Sequence, residues 1–209
     1  MKHVALLGDS ILDNAAYVGG GPDVRAQLQG LLTEWKVTLL AVDGSTTQDI
    51  HTQLTQLPPD TSHIVISSGG NDALDHMGFL QEGADSVVDV LYKLSMIGER
   101  FQYIYHSMLS KLLSHGIPTA VCTIYYPRFP DPLLQRTSVT ALTVFNDCII
   151  REAFTAQIPL LDLRLICNQD TDYANPIEPS VAGGAKIAKA ITKLLHEHDF
   201  NSPRTQIFI

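Results

Sequence analysis

Cysteine is scarce in this chain. The 209 residues hold three, Cys122, Cys148 and Cys167, widely spaced and in no Cys-x-x-Cys pattern. An odd number so placed argues against a disulfide framework or a thiolate zinc site, and suits reduced, buried thiols. Positive charge is also scarce. The 14 Lys and Arg face 22 Asp and Glu, for a net charge of -8, and they form no basic run. That argues against a nucleic-acid partner, because phosphate binding needs a basic patch. No apolar run approaches the roughly 20 residues of a membrane span. Nor is there a repeat, a low-complexity tract or a domain boundary, so one domain over 1–209 is expected, with 199–209 a loosely held tail. Met1-Lys2-His3 runs directly into an apolar stretch. That leaves no room for a signal peptide and predicts a cytoplasmic protein.

What is present is an alternation of short apolar runs and helical patterns. Residues 3–8, Val37–Val42, Ile64–Ser67, Thr119–Ile124 and Pro159–Leu163 read as buried strands. Helical patterns begin near Asp23, place Ile50, Leu54 and Leu57 on one face, run over 82–114 with Ser95 or Gly98 as a point of breakage, and cover 138–156 and 184–196. Tyr125–Pro132 holds three prolines and reads as a loop. Five β–α units with continuous apolar strands predict a three-layer α/β/α domain on a five-stranded parallel, flavodoxin-like sheet.

The first three strands each end in a polar loop bearing glycine: Gly8-Asp9-Ser10, Asp43-Gly44-Ser45 and Gly69-Gly70-Asn71-Asp72. Gly-Asp-Ser alone is common turn chemistry. In a parallel sheet, however, these ends lie side by side, where ligands bind. A serine hydroxyl, backbone N–H groups and an asparagine amide would then converge on one small volume, as acyl transfer requires. Ser10 would be the nucleophile. The N–H groups of Ser10 and Gly44 and the Asn71 side-chain NH₂ would form an oxyanion hole. Asp9 and Asp72 are expected to hold the loops by accepting N–H bonds.

In these motifs the sequence resembles the SGNH (GDSL-like) hydrolase family. The match is Gly8-Asp9-Ser10, then Gly44, then Gly70-Asn71-Asp72, in that order and at strand ends. The resemblance implies a flavodoxin-like fold and esterase, lipase, thioesterase or carbohydrate-deacetylase chemistry on a small-molecule acyl ester, with no metal and no cofactor. The last family block, Asp-x-x-His before the final helix, is changed. Asn175 stands in place of the aspartate and Glu178 in place of the histidine. The two changes make sense together. An ionised glutamate has no N–H to give an aspartate, whereas the amide NH₂ of Asn175 could orient the Glu178 carboxylate. Glu178 would be the base for Ser10 if burial raised its pKa.

Rival assignments remain open. His76, in the loop after the third strand, is the most plausible substitute base, although a solvated loop residue is the plainer account. Asp170 and Asp172 are alternative orienters. Tyr125, Tyr126 and Phe129 offer a wall for an acyl pocket, Met77, Phe79 and Leu80 offer another, and Arg128 could meet an anionic substrate; ordinary packing accounts for each equally well. The alternative function is a catalytically weak or inactive relative that binds an acyl or carbohydrate ligand.

Overall fold

The computed structural model describes residues 1–209. β1 (Lys2–Gly8) lies inside a six-stranded sheet, between β2 (Trp35–Leu39) and β3 (His63–Ser67). β4 (Thr119–Cys122), β5 (Leu160–Leu161) and β6 (Ile207–Phe208) complete the order β2-β1-β3-β4-β5-β6, every pair parallel.

Alternation along each strand feeds two cores. Val4 and Leu6 of β1 face one, with α1 (Val24–Leu31) and α7 (Val181–Glu197) packed over it. Ala5 and Leu7 face the other, covered by α2 (Ile50–Leu54), α4 (Val87–Leu113) and α5 (Pro132–Ala156). The short α3 (Gly70–Asp75) and α6 (Leu163–Ile166) follow β3 and β5. Helices on both faces of a parallel sheet are the three-layer α/β/α arrangement expected. No helix is long and apolar enough to cross a membrane.

Three expectations need correction. The sheet has six strands, because the supposed loose tail supplies the sixth. The Leu160 N–H donates to the Gln206 carbonyl at 2.9 Å and the Asp162 N–H to the Phe208 carbonyl at 3.0 Å, while Phe208 is buried. The tail thus satisfies donors that an open β5 edge would leave unpaired, and its apolar stretch is too short to betray a strand. Secondly, α4 does not break at Gly98. A Cβ there would lie 2.4 Å from Val144 Cγ1, so this glycine lets α4 and α5 approach closely. Thirdly, α5 starts at Pro132 rather than Ser138, capped by the Asp131 carboxylate, which accepts the Leu134 N–H at 2.6 Å. Proline at the first helical position needs no donor and begins the helix rather than extending the loop.

Candidate active site

The Ser10 loop is held from inside the sheet. β1 ends at Gly8 with φ of 132°, and a Cβ there would lie 1.8 Å from the Ser67 carbonyl oxygen, so only glycine fits. Buried Gln53 of α2 grips this residue from both sides. The Gly8 N–H donates to Gln53 Oε1 and Gln53 Nε2 donates to the Gly8 carbonyl, each at 2.8 Å. Sequence reasoning missed Gln53; its one signal was a glutamine between the inward Ile50 and Leu54. Beyond Gly8 the chain turns at once. The Asp9 carbonyl accepts the N–H groups of Leu12 and Asp13 at 3.1 and 3.0 Å, and Asp9 Oδ1 accepts that of Ile11 at 3.1 Å. Ser10, at the head of this turn, is buried, and its own N–H donates to no other group of the chain.

The second and third loops are fastened to the first and to each other. The Asp43 N–H donates to Asp13 Oδ2 at 3.0 Å, and the Tyr17 hydroxyl donates to Asp43 Oδ2 at 2.7 Å. A turn closed by the Ser45 N–H on the Val42 carbonyl contains Gly44, whose N–H is likewise unbonded. Asn71 Nδ2 donates to the Ser45 carbonyl at 2.8 Å, which leaves its second hydrogen free. Asp72 Oδ2 accepts both the N–H and the hydroxyl of Thr47 at 2.9 Å. Asp9 therefore holds its own loop as expected, whereas Asp72 holds the loop after β2.

Glu178 sits in a loop that is bridged across its own base and gripped by residues from elsewhere. Tyr173 and Pro179 form an antiparallel bridge, and the Ala174 N–H donates to the Glu178 carbonyl at 2.9 Å. The Tyr125 hydroxyl donates to the Ile177 carbonyl at 2.5 Å, the Arg128 N–H to the Pro176 carbonyl at 2.7 Å, and Asn14 Nδ2 to the Pro179 carbonyl at 3.1 Å. The Glu178 side chain is buried, and its Oε2 has no hydrogen-bond partner. Asn175 works differently from expectation. Its Oδ1 accepts the N–H groups of Ile177 and Glu178, each at 3.0 Å, and its NH₂ makes no bond to the Glu178 carboxylate. An asparagine opening a tight turn directs its amide oxygen at the N–H groups two and three residues on. It orients Glu178 through the main chain.

Two carboxyls here are far from their ordinary acidity. Burial pushes Glu178 up to about 7, with the nearby Ser10 hydroxyl opposing the rise and the Asp43 charge adding to it. Burial also pushes Asp9 up to about 7; the Ile11 N–H opposes this, and the charges of Glu178 and Asp72 reinforce it. A carboxyl of this kind exchanges a proton near neutrality, as a general base must.

Asp9, Ser10, Asn71 and Glu178 share the wall of a cavity of about 840 Å³, part of it open to solvent. Fifteen of its 23 lining residues are hydrophobic, so the space beside the serine suits an apolar group. Tyr125, Pro127 and Phe129 form one side, and Met77, Phe79 and Leu80 another. His76 also lines the cavity, its ring centroid 6.3 Å from that of Phe145. Gly44 and Asn175 are outside this lining. So is Arg128, whose guanidinium pairs with Asp170 at 3.1 Å and lies over the Tyr173 ring, away from the groups that line the cavity. Asp170 and Asp172 do not orient Glu178: the first partners Arg128, and the second is buried against Lys186 Nζ at 2.7 Å.

The pattern of the GDSL-like lipase/acylhydrolase family matches residues 6–186. This chain belongs to that family. Among solved structures it is similar to an extracellular lipase from Streptomyces rimosus, with 15% identity and a TM-score of 0.67 over 89% of this chain and 96% of that one. It is similar to a phospholipase A1 from Streptomyces albidoflavus, also 15% identical with a TM-score of 0.67, over 91% and 97%. A catalytic mutant of an acetylxylan esterase from Geobacillus stearothermophilus is 16% identical, with a TM-score of 0.61 and 95% of each chain covered. At these identities the likeness is one of fold. No curated protein matches the chain.

Proposed function

We propose that this GDSL-family chain hydrolyses acyl esters, with Ser10 as nucleophile and Glu178 in the role of the missing histidine. The observation that carries this reading is the placement of the Ser10 hydroxyl and the buried Glu178 carboxyl on one cavity wall, with Glu178 titrating near 7. Ser10 Oγ attacks the acyl carbon and its proton passes to the Glu178 carboxylate. The N–H groups of Ser10 and Gly44 and the second hydrogen of Asn71 Nδ2 receive the developing oxyanion. Their lack of partners within the protein supports that role. As the tetrahedral intermediate collapses, Glu178 returns the proton to the departing alkoxide, leaving acyl-Ser10. Water then attacks the acyl carbon, giving its proton to Glu178, and the acid is released as Ser10 regains it.

A glutamate at its ordinary acidity would be a poor acceptor at neutral pH; one near 7 is matched to the task. Asn175 is a positioning residue, holding the main chain of Glu178. The test is hydrolysis of a p-nitrophenyl ester by wild type, Ser10→Ala and Glu178→Ala. Loss of turnover in both variants is expected, and full activity in Glu178→Ala would remove the glutamate from the mechanism.

A further inference from the structure

The cavity wall that faces away from the strand ends is almost wholly apolar, with two exceptions. On α5, Ser138, Ala141, Leu142 and Phe145 recur at helical spacing and all line the cavity. Ser138 is 7% exposed, and its Oγ is buried without a hydrogen-bond partner. This is unusual for a helical serine, which ordinarily turns its hydroxyl back onto a carbonyl of the preceding turn. The threonines of the same helix do so: Thr137 and Thr140 bond the carbonyls of Leu133 and Arg136, each at 2.9 Å. Ser138 instead spends burial on an unmatched polar group inside an apolar pocket. His76 is the second exception, and its ring bonds to no other side chain while facing Phe145, two turns along α5 from Ser138.

A pocket made only for alkyl chains has no use for an unpaired hydroxyl, which weakens binding of apolar groups. A hydroxyl on the ligand resolves the mismatch, since one Ser138 O–H can both donate to it and accept from it. We propose that Ser138 makes this cavity selective for oxygenated acyl groups, namely medium-length acyl chains carrying a hydroxyl part-way along, over plain alkyl chains. The proposal rests on the reading of Ser10 as the nucleophile only in taking the bound group to be the acyl part of an ester.

The test uses p-nitrophenyl octanoate and its analogues hydroxylated at carbon 3, 5 or 7, with wild type and Ser138→Ala. One hydroxylated ester is expected to exceed octanoate in kcat/KM by about tenfold or more in wild type, the scale of one matched buried hydrogen bond. In Ser138→Ala that ratio should collapse towards one. Preference for plain octanoate over every analogue, or an unchanged ranking in Ser138→Ala, overturns the proposal. If wild type turns over none of the esters, the hydrolase reading fails by itself. Calorimetric binding of the corresponding methyl esters to Ser10→Ala, with and without Ser138→Ala, then decides selectivity alone. Tighter binding of one hydroxylated ester that depends on Ser138 supports the proposal, and equal binding or none contradicts it.

Discussion

The loop that carries Ser10 and the loop that carries Glu178 meet at one cavity but are held there by different means. The Ser10 loop follows directly from the sheet. A glycine that admits no Cβ, a turn closed on Asp9 and the two-sided grip of Gln53 set its path within a few residues of β1. The Glu178 loop has no strand beneath it. It is tied down by Asn14 and by the segment after β4, through Tyr125 and the main chain of Arg128, and by the turn at Asn175. Ser10 is thus placed by the sheet and by the helix that packs on its strand. Glu178 is placed by loop-to-loop contacts outside the sheet, so it is the half of the proposed pair that mutation can loosen without unfolding the protein.

That contrast can be broken most severely at Glu178 itself. Glu178→Gln keeps the shape and removes the proton acceptor, and kcat/KM for a p-nitrophenyl ester should fall by about 10² to 10⁴. The Ser10 loop is attacked through Gln53. Gln53→Leu leaves the Gly8 N–H buried and unpaired, and denaturant unfolding should show a loss of about 1–3 kcal/mol. Asp9 and Glu178 affect stability with a definite sign. Asp9 and Glu178 bind protons more tightly folded than unfolded, so their contribution to stability is fully present near pH 4 and is lost as pH rises towards about 7 to 8, while His63, which burial pushes down to about 4, acts in the opposite sense. Relative to Asp9→Asn/Glu178→Gln, wild type should lose at least about 1 kcal/mol over that range. The mildest change is Asn175→Ala, costing about 1 kcal/mol in stability. Its larger effect should be on kcat, by about tenfold with KM little altered, because a displaced base is felt in the chemical step. Should Asn175→Ala and Gln53→Leu change stability and kcat in the same proportion, the distinction between the two loops is lost.

The same contrast explains what the sequence made legible. Strands ending in glycine-bearing loops mark the sheet and the Ser10, Gly44 and Asn71 positions, because those signals are local. The framing of Glu178 marks its place before the last helix. Its surroundings were invisible: that Tyr125 and Asn14 grip its loop depends on pairs 52 and 165 residues apart. Side-chain chemistry permits Asn175 to orient the carboxylate, but turn geometry sends its amide oxygen to the main chain instead. Phe208 was assigned to a loose tail because an edge strand of two residues carries no periodicity. The sequence pattern puts Ser138 at the start of α5, whereas the helix begins at Pro132 and Ser138 lies inside it, facing the cavity.

The central claim is that Glu178, titrating near neutrality, takes the proton of Ser10. The most direct measurement is the rate of Ser10 labelling by a fluorophosphonate between pH 5 and 9, in wild type and Glu178→Gln, with the modified residue located by peptide mass analysis. Labelling at Ser10 that rises with a midpoint near pH 7 and is lost in Glu178→Gln is the predicted result. Labelling of Glu178→Gln at the wild-type rate and with the same pH midpoint would contradict it, and would hand the role of base to another group on the cavity wall, His76 first.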